Sequence, residues 1–539
     1  MFRKVQIAVL AVLLVVPLRF ATAQAPTVRP LAEIGPWPVV SQLIEFQGRV
    51  WFANSVKGVN HNSADLYSLS LADRDVRFER PLFSQDAGDA VVLEGRLYWP
   101  LEDSRNSVGW AEVTLTDGKA WRRRAIPGAR AFHNHAMVAW RGGLVAATSA
   151  WRAGLQGSSD GGMSWRRLYD HPTPERRVSR VVRLAAAETF FLGHLIDVGQ
   201  HRLLRSNGEE TALLNDWPED LPVTALAGKA NAVYIAANAA DGIVLWRSDG
   251  STLRQLEVSL PDGRVQDLQA AAGRLWMLTT AAGGGGSVWS SADGLGWRED
   301  LRLDGGTPWD LHVGTAGLYV GGTAESGLGA LWVQGESLAD DPGDDLSALS
   351  IASAPAGDLD WAAEATSLDN LLAAPASYAA RSTLRDEIYR LAMAGPPEGF
   401  FAARLAVGEG PAGDIPLIGG QVRVRNRGFA DWLLLWGMGL NGQSGVPAGL
   451  LLKPWASAAN PAEKYFEPAP SALWAVVMAG QADRATIATL IERLGFADDP
   501  DWLRNQVAGT LATLTGQPKH PNQDRWLDWW ALAEPGWPD

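Results

Sequence analysis

Short apolar runs recur through the first 340 residues, most of them set off by a glycine: QGRVWFA, EGRLYWP, RGGLVAA, AETFFLG, ANAVYIA, AGRLWML and TAGLYVG. They align in one register on Trp51, Tyr98, Val145, Phe191, Tyr234, Trp276 and Tyr319, with spacings of 47, 47, 46, 43, 42 and 43 residues. Runs this short, rich in aromatic and β-branched residues and bounded by turn formers, predict strands rather than helices. Each repeat adds an apolar strand before the aligned one and a third after it, such as DLYSLSL, GWAEVTL, GIVLWRS or GSVWSSA, and often a fourth such as DVRFERP. Four strands per repeat of this length make a blade, and a blade cannot bury both of its faces alone. The pattern therefore predicts a seven-bladed β-propeller over 32–345, with an early strand around LAEIGPW completing the last blade.

After Leu346 the strand rhythm stops and alanine becomes abundant. The period changes from two to about 3.6 where Ile487, Leu490, Ile491 and Leu494, then Leu503, Val507, Leu511 and Leu514, fall on helical faces separated by Asp498-Asp499-Pro500. Two amphipathic helices packed as a hairpin are expected. We divide the rest into a linker and first helix over 346–380 and a mainly helical domain over 381–535. A helix is expected at Arg381–Met393 and a buried one at Phe429–Leu440. The Gly/Pro-rich middle, 399–470, is unassigned apart from a possible strand, QVRVR, at 421–425.

The chain begins with Arg3 and Lys4, an apolar run from Val5 to Leu18, and Ala21-Thr22-Ala23. That order is the signature of a secretory signal peptide, 1–23, with the cut expected after Ala23 and a periplasmic or secreted destination. With no cysteine in the chain, disulfides, thiolate metal sites and a cysteine nucleophile are excluded. Removing 1–23 takes away three of 47 Lys and Arg and none of 60 Asp and Glu, moving the formal charge from -13 to -16. So acidic a chain is a poor partner for nucleic acid.

One motif stands apart from the strand pattern. Gly157–Trp165 reads GSSDGGMSW, and its Ser158, Asp160, Gly162, Ser164 and Trp165 match Ser-x-Asp-x-Gly-x-Ser-Trp. A shorter relative is SSADGLGW, with Asp293, Gly294 and Trp297. This pattern resembles the Asp-box (BNR repeat) of sialidase-like propellers, a resemblance that implies a hairpin-forming role for these residues rather than chemistry. RRAIPG at Arg123–Gly128 departs from the sialidase Arg-Ile-Pro motif by an inserted alanine and falls on an outer strand, so sialidase activity is not expected. The runs VWFANSVKGVNHNSADLYS, LFSQDAGD, FHNHAMVAW and ATSAWRAGLQGSSDGG are similar to exported bacterial proteins of unassigned role that join an Asp-box propeller to a HEAT-like tail. The ending Leu511–Ala531 resembles the close of a HEAT-type repeat.

Polar loops that join second to third strands, and those that enter the next blade, emerge on one face. They carry Asn60, His61, Asn62, Gln85, Asp86, Glu102, Asp103, Arg105, His133, His135, Trp151, Arg152, Asp170, His171 and His194, which makes the rim of blades one to four the candidate ligand surface. In FHNHAM, His133 and His135 lie two apart and share a side if extended. Two imidazoles so placed can ligate a metal, hold a carboxylate, act as acid and base, or cap strand ends. No cofactor is expected otherwise. The rim carboxylates could form the pair a glycosidase needs, and Trp151 beside Arg152 could stack on a sugar ring.

The pattern as a whole predicts a binding or scaffold protein of the cell envelope without a complete catalytic constellation. The alternative is a carbohydrate-active hydrolase or lyase using rim carboxylates and histidines. A glycan or an envelope protein is the expected partner, no stable membrane span is expected, and the helical tail is expected to dock on the propeller.

Overall fold

The computed structural model describes residues 25–56, 64–102, 111–118, 121–126, 131–150, 153–172, 179–335, 414–416, 423–425, Leu473, Val476, Val477 and, apart from 498 and 500, 482–538. Seven antiparallel sheets follow one another as blades, starting with Val39–Phe46, Arg49–Ser55, Asp65–Ser70 and Val76–Pro81. The first strand of each blade is innermost, and the inner strands of neighbouring blades adjoin around a central axis.

The ring is closed from both ends of the propeller sequence. Blade seven takes three strands from Gly306–Gly335 and its outermost from Ala32–Ile34, which pairs antiparallel with Gly329–Gly335. The strand predicted around LAEIGPW is therefore present. A further short strand, Thr27–Val28, adds in parallel to the outer edge of blade six at Arg302 and Leu303.

Seven separate apolar clusters hold the ring, each between two blades rather than within one. Phe46, Trp51 and Leu66 of blade one meet Leu97, Trp99 and Leu101 of blade two, and Leu278, Val288 and Leu301 of blade six meet Leu311, Val320 and Trp332 of blade seven. The aligned positions of the repeat supply this packing, with Tyr98, Val145, Phe191 and Tyr319 at 3 % exposure or less. Burial of both sheet faces explains why the aligned strands read as nearly unbroken apolar runs. The glycines before them have a local cause. Gln47-Gly48, Glu94-Gly95, Arg141-Gly142 and Ala272-Gly273 all have positive φ at both residues, as a two-residue hairpin turn with the right twist requires.

The tail contains three described helices: α1 (Arg484–Leu494), α2 (Asp501–Thr515) and α3 (Gln523–Ala533). Asp483 caps α1 by accepting from the Thr486 N–H at 2.8 Å. Ile487, Leu490, Ile491, Leu503, Val507 and Leu511 are buried, so the predicted helical hairpin is present. Its turn is stapled by a buried bidentate pair, with Arg493 Nε and Nη2 each donating to Asp499 at 2.6 Å. Helix α2 also packs on the outermost strand of blade one, where Gly509 faces Phe78 and Pro81. Beyond α2, Lys519 donates to Asp65 of blade one, both side chains buried, and its ammonium lies 5.1 Å from the Phe78 ring centre. Arg423–Arg425, within the predicted QVRVR strand, pairs antiparallel with Asp414–Pro416. No helix among the described residues is long and apolar enough to cross a membrane. The segment 1–23, the linker 346–380, the helices expected at 381–393 and 429–440, and nearly all of 399–470 lie outside the described residues.

Candidate functional site

The inner strands are irregular at one level of the ring. Bulges interrupt their pairing between Ser41 and Ile44, Asn134 and Ala136, Val181 and Arg183, Val223 and Ala225, Val265 and Asp267, and Pro308 and Asp310. In blade two the inner strand breaks between Asp86–Ala87 and Val91–Leu93. An extra residue re-aims the side chains that follow it. Here the result is a polar axial cavity of about 260 Å³, lined by all seven blades, with Ser41, Asp89, Arg183, Gln266, Asp267 and Asp310 among its walls.

The carboxylates of this cavity also tie blades together. Asp267 accepts from the Leu268 N–H at 2.7 Å and from the Leu311 N–H of blade seven at 3.0 Å. Asp310 accepts from the Leu43 N–H of blade one at 2.7 Å. The two side chains hydrogen-bond each other, which requires one of them to carry a proton. Burial raises the affinity of Asp267 for that proton, against the opposing pull of the two N–H donors and of the Arg183 charge across the axis. Between blades two and three the backbone does the same work, Met137 N–H donating to the Asp89 carbonyl at 3.0 Å.

On the rim, the structure gathers the expected residues into buried pairs. Asp86 is buried and accepts from Ser55 Oγ at 2.7 Å, while Gln85 uses its N–H on the Glu102 carbonyl at 2.9 Å. His133 and His135 stack at 5.3 Å between ring centres. His135 Nε2 lies 2.7 Å from Ser149 Oγ, and its Nδ1 lies 3.7 Å from Glu102. His171 Nε2 lies 3.1 Å from Asp197, and Asp170 accepts from Arg167 at 2.8 Å. His194 lies inside the second strand of blade four, not after it, and its Nε2 is 3.0 Å from His201 Nδ1. Burial lowers His135 well below the usual imidazole range, helped by His133 and Arg180; it lowers His194 to about 3, helped by Arg183 and His201. His135 and His194 are thus neutral near pH 7 and packed into blade edges. Asn60, His61, Asn62, Asp103, Arg105, Trp151 and Arg152 lie outside the described residues. Among the described residues, no three His, Asp or Glu side chains gather in a way that would hold a metal ion.

Asp160 closes its own hairpin, accepting from the Met163 N–H at 3.0 Å, the Ser164 N–H at 2.9 Å and Ser164 Oγ at 2.5 Å. Trp165 Nε1 donates to the Gly162 carbonyl at 3.2 Å, and Trp297 Nε1 to the Gly294 carbonyl at the same distance.

Sequence reasoning passed over the cavity residues, although a signal was present. Asp89, Asp267 and Asp310 each stand nine residues before an aligned aromatic: Tyr98, Trp276 and Tyr319. Acidic residues at one offset before the aligned strand in three repeats mark positions that share a place around the axis.

The chain matches no protein-family model and no curated protein sequence. Among solved structures it is similar to the β-propeller domain of the Trilobed protease from Pyrococcus furiosus (11% identity, TM-score 0.40, 57% of this chain and 100% of that one). It is also similar to YCF48 from Cyanidioschyzon merolae (11%, 0.39, 56% and 97%) and to the computationally designed Ika8 protein (12%, 0.38, 57% and 99%).

Proposed function

We propose that this is an exported binding or scaffold protein whose ligand enters the axial cavity and the adjoining rim of blades two to four, while the helical tail stays docked on blade one. The observation that carries the reading is a polar cavity bordered by all seven blades, in which the Arg183 guanidinium takes part in no hydrogen bond or ion pair among the described residues. A cation at a cavity wall that acts on Asp267 only through its charge, with its own N–H donors unspent, is a group prepared for a ligand. Propellers serve many roles, so the fold by itself assigns none and the site must carry the function.

The cavity's own carboxylates do not offer a hydrolase pair, and the alternative built on rim carboxylates and histidines is decided by assay. Glycosidases set their two carboxyl groups about 5–5.5 Å apart to retain configuration, or about 6.5–9.5 Å apart to invert it. Asp267 and Asp310 are in direct hydrogen-bond contact and are further engaged by backbone N–H groups. The test is incubation of the mature chain with sialosides and a polysaccharide panel. No turnover is expected; turnover abolished by Asp267→Asn or by His135→Gln would replace the binding reading with the enzymatic one.

A further inference from the structure

Three features of the axial cavity decide what it can hold. The first is Arg183, whose guanidinium is half-buried in the cavity wall on blade four and, among the described residues, in no hydrogen bond or ion pair. The second is Ser41 on blade one, 1 % exposed, with its Oγ lacking any hydrogen-bond partner although it borders the cavity. The third is the sign of the opposite wall. Asp267 and Asp310 on blades six and seven, with Asp89 on blade two, leave at least one negative charge facing the axis after the proton of the pair is counted.

Opposite charges in the walls of one small cavity, with an unsatisfied hydroxyl on the acidic side, select a ligand that carries both charges itself. A simple acid would meet Arg183 but face the carboxylates; a simple amine would do the reverse, and each mismatch is an uncompensated charge in a partly dehydrated site. At about 260 Å³ the cavity is below the range of drug-sized pockets, so the ligand is small. Resting on the binding reading above, we infer that the axial cavity takes a small zwitterion, an amino acid in the chemical sense, with its carboxylate on Arg183, its ammonium on the Asp267–Asp310 wall, and a hydrogen bond to Ser41.

Calorimetric titration of the full mature chain at pH 7.5 and low salt tests this with glycine, 4-aminobutyrate, 6-aminohexanoate and Gly-Gly, against butyrate and butylamine as single-charge controls. The best zwitterion is expected to bind at least tenfold more tightly than either control. In Arg183→Gln, which breaks no hydrogen bond, the zwitterion should fall to the affinity of the amine, and the amine should change less than twofold. Equal binding of acid, amine and zwitterion, or a zwitterion indifferent to Arg183→Gln, overturns the inference. Because the chain has no cysteine, Gln266→Cys places a single thiol in the cavity wall, and protection from alkylation reports occupancy. Protection by the zwitterion alone supports the inference. Protection by butylamine or butyrate as good as that by the zwitterion overturns the ligand class while keeping the cavity as a site. No protection by any of the six compounds, together with no heat of binding, overturns both the inference and the cavity reading.

Discussion

Acid should unfold this propeller through its buried histidines. His194 is held to about 3 and His312 to about 4, each chiefly by burial, and His312 Nε2 accepts from the Glu45 N–H at 3.1 Å, a bond that a protonated ring cannot accept. In the unfolded chain both rings titrate near 6.5. A folded pKa depressed below the unfolded one contributes stability that is present above about pH 6.5 and is lost as pH falls toward the folded value. At pH 5 the unfolded chain gains about 1.5 pK units of proton binding per ring that the folded chain does not, or about 2 kcal/mol each and about 4 kcal/mol for the two. His135 adds to this in the same direction. Asp267 and Asp65, raised by burial, oppose it at lower pH, so the informative quantity is the difference between parent and variant. Urea unfolding followed by tryptophan fluorescence at pH 7.5, 6.5, 5.5 and 5.0 should show the parent losing stability below 6.5. His194→Gln and His312→Gln should each lower stability at pH 7.5 but recover about 2 kcal/mol of the loss between 7.5 and 5. A parent whose stability is flat over that range, or variants that keep its full slope, would refute the assignment of neutral, buried rings.

Two further outcomes follow from single contacts. Lys519→Met strands the buried Asp65 carboxylate and should cost the docked tail about 3–5 kcal/mol, seen as faster proteolysis beyond residue 482, whereas the double change Lys519→Met with Asp65→Leu should restore most of it; equal proteolysis of parent and single variant would show that the pair does not hold the tail. Asp160→Ala removes an acceptor of two backbone N–H groups and two hydroxyls and should cost about 1–2 kcal/mol in urea unfolding without changing ligand binding; a loss of binding at unchanged stability would instead give this hairpin a functional role.

Much of this architecture was written in local pattern. An apolar strand after a tight turn every 42 to 47 residues states the number of blades, because every blade solves the same problem of covering two faces, and the same solution repeats in register. The short strand at Ala32–Ile34 was legible for a related reason: the chain has to supply a last strand from somewhere, and an extended apolar-polar segment stood before the first repeat. The helical hairpin followed from its period alone. The site was a different matter. His133, His135, His171 and His194 read as loop chemistry from their places in the sequence, but the distance from a strand end to the solvent depends on how neighbouring blades lean together, and that packing leaves His171 and His194 at 6 % and 2 % exposure. Asp267 and Asp310 are 43 residues apart and look unrelated until the ring closes, when equivalent positions on adjacent inner strands become neighbours and two carboxyls share a proton. Arg183, which lines the same cavity from two and three blades away along the chain, and Lys519, which reaches Asp65 across 454 residues, carry no local mark at all. Periodicity reports the burial of each strand because burial repeats residue by residue; which side chains converge on an axis or across an interface is set by the closure of the ring and the docking of the tail, and those are properties of the whole chain.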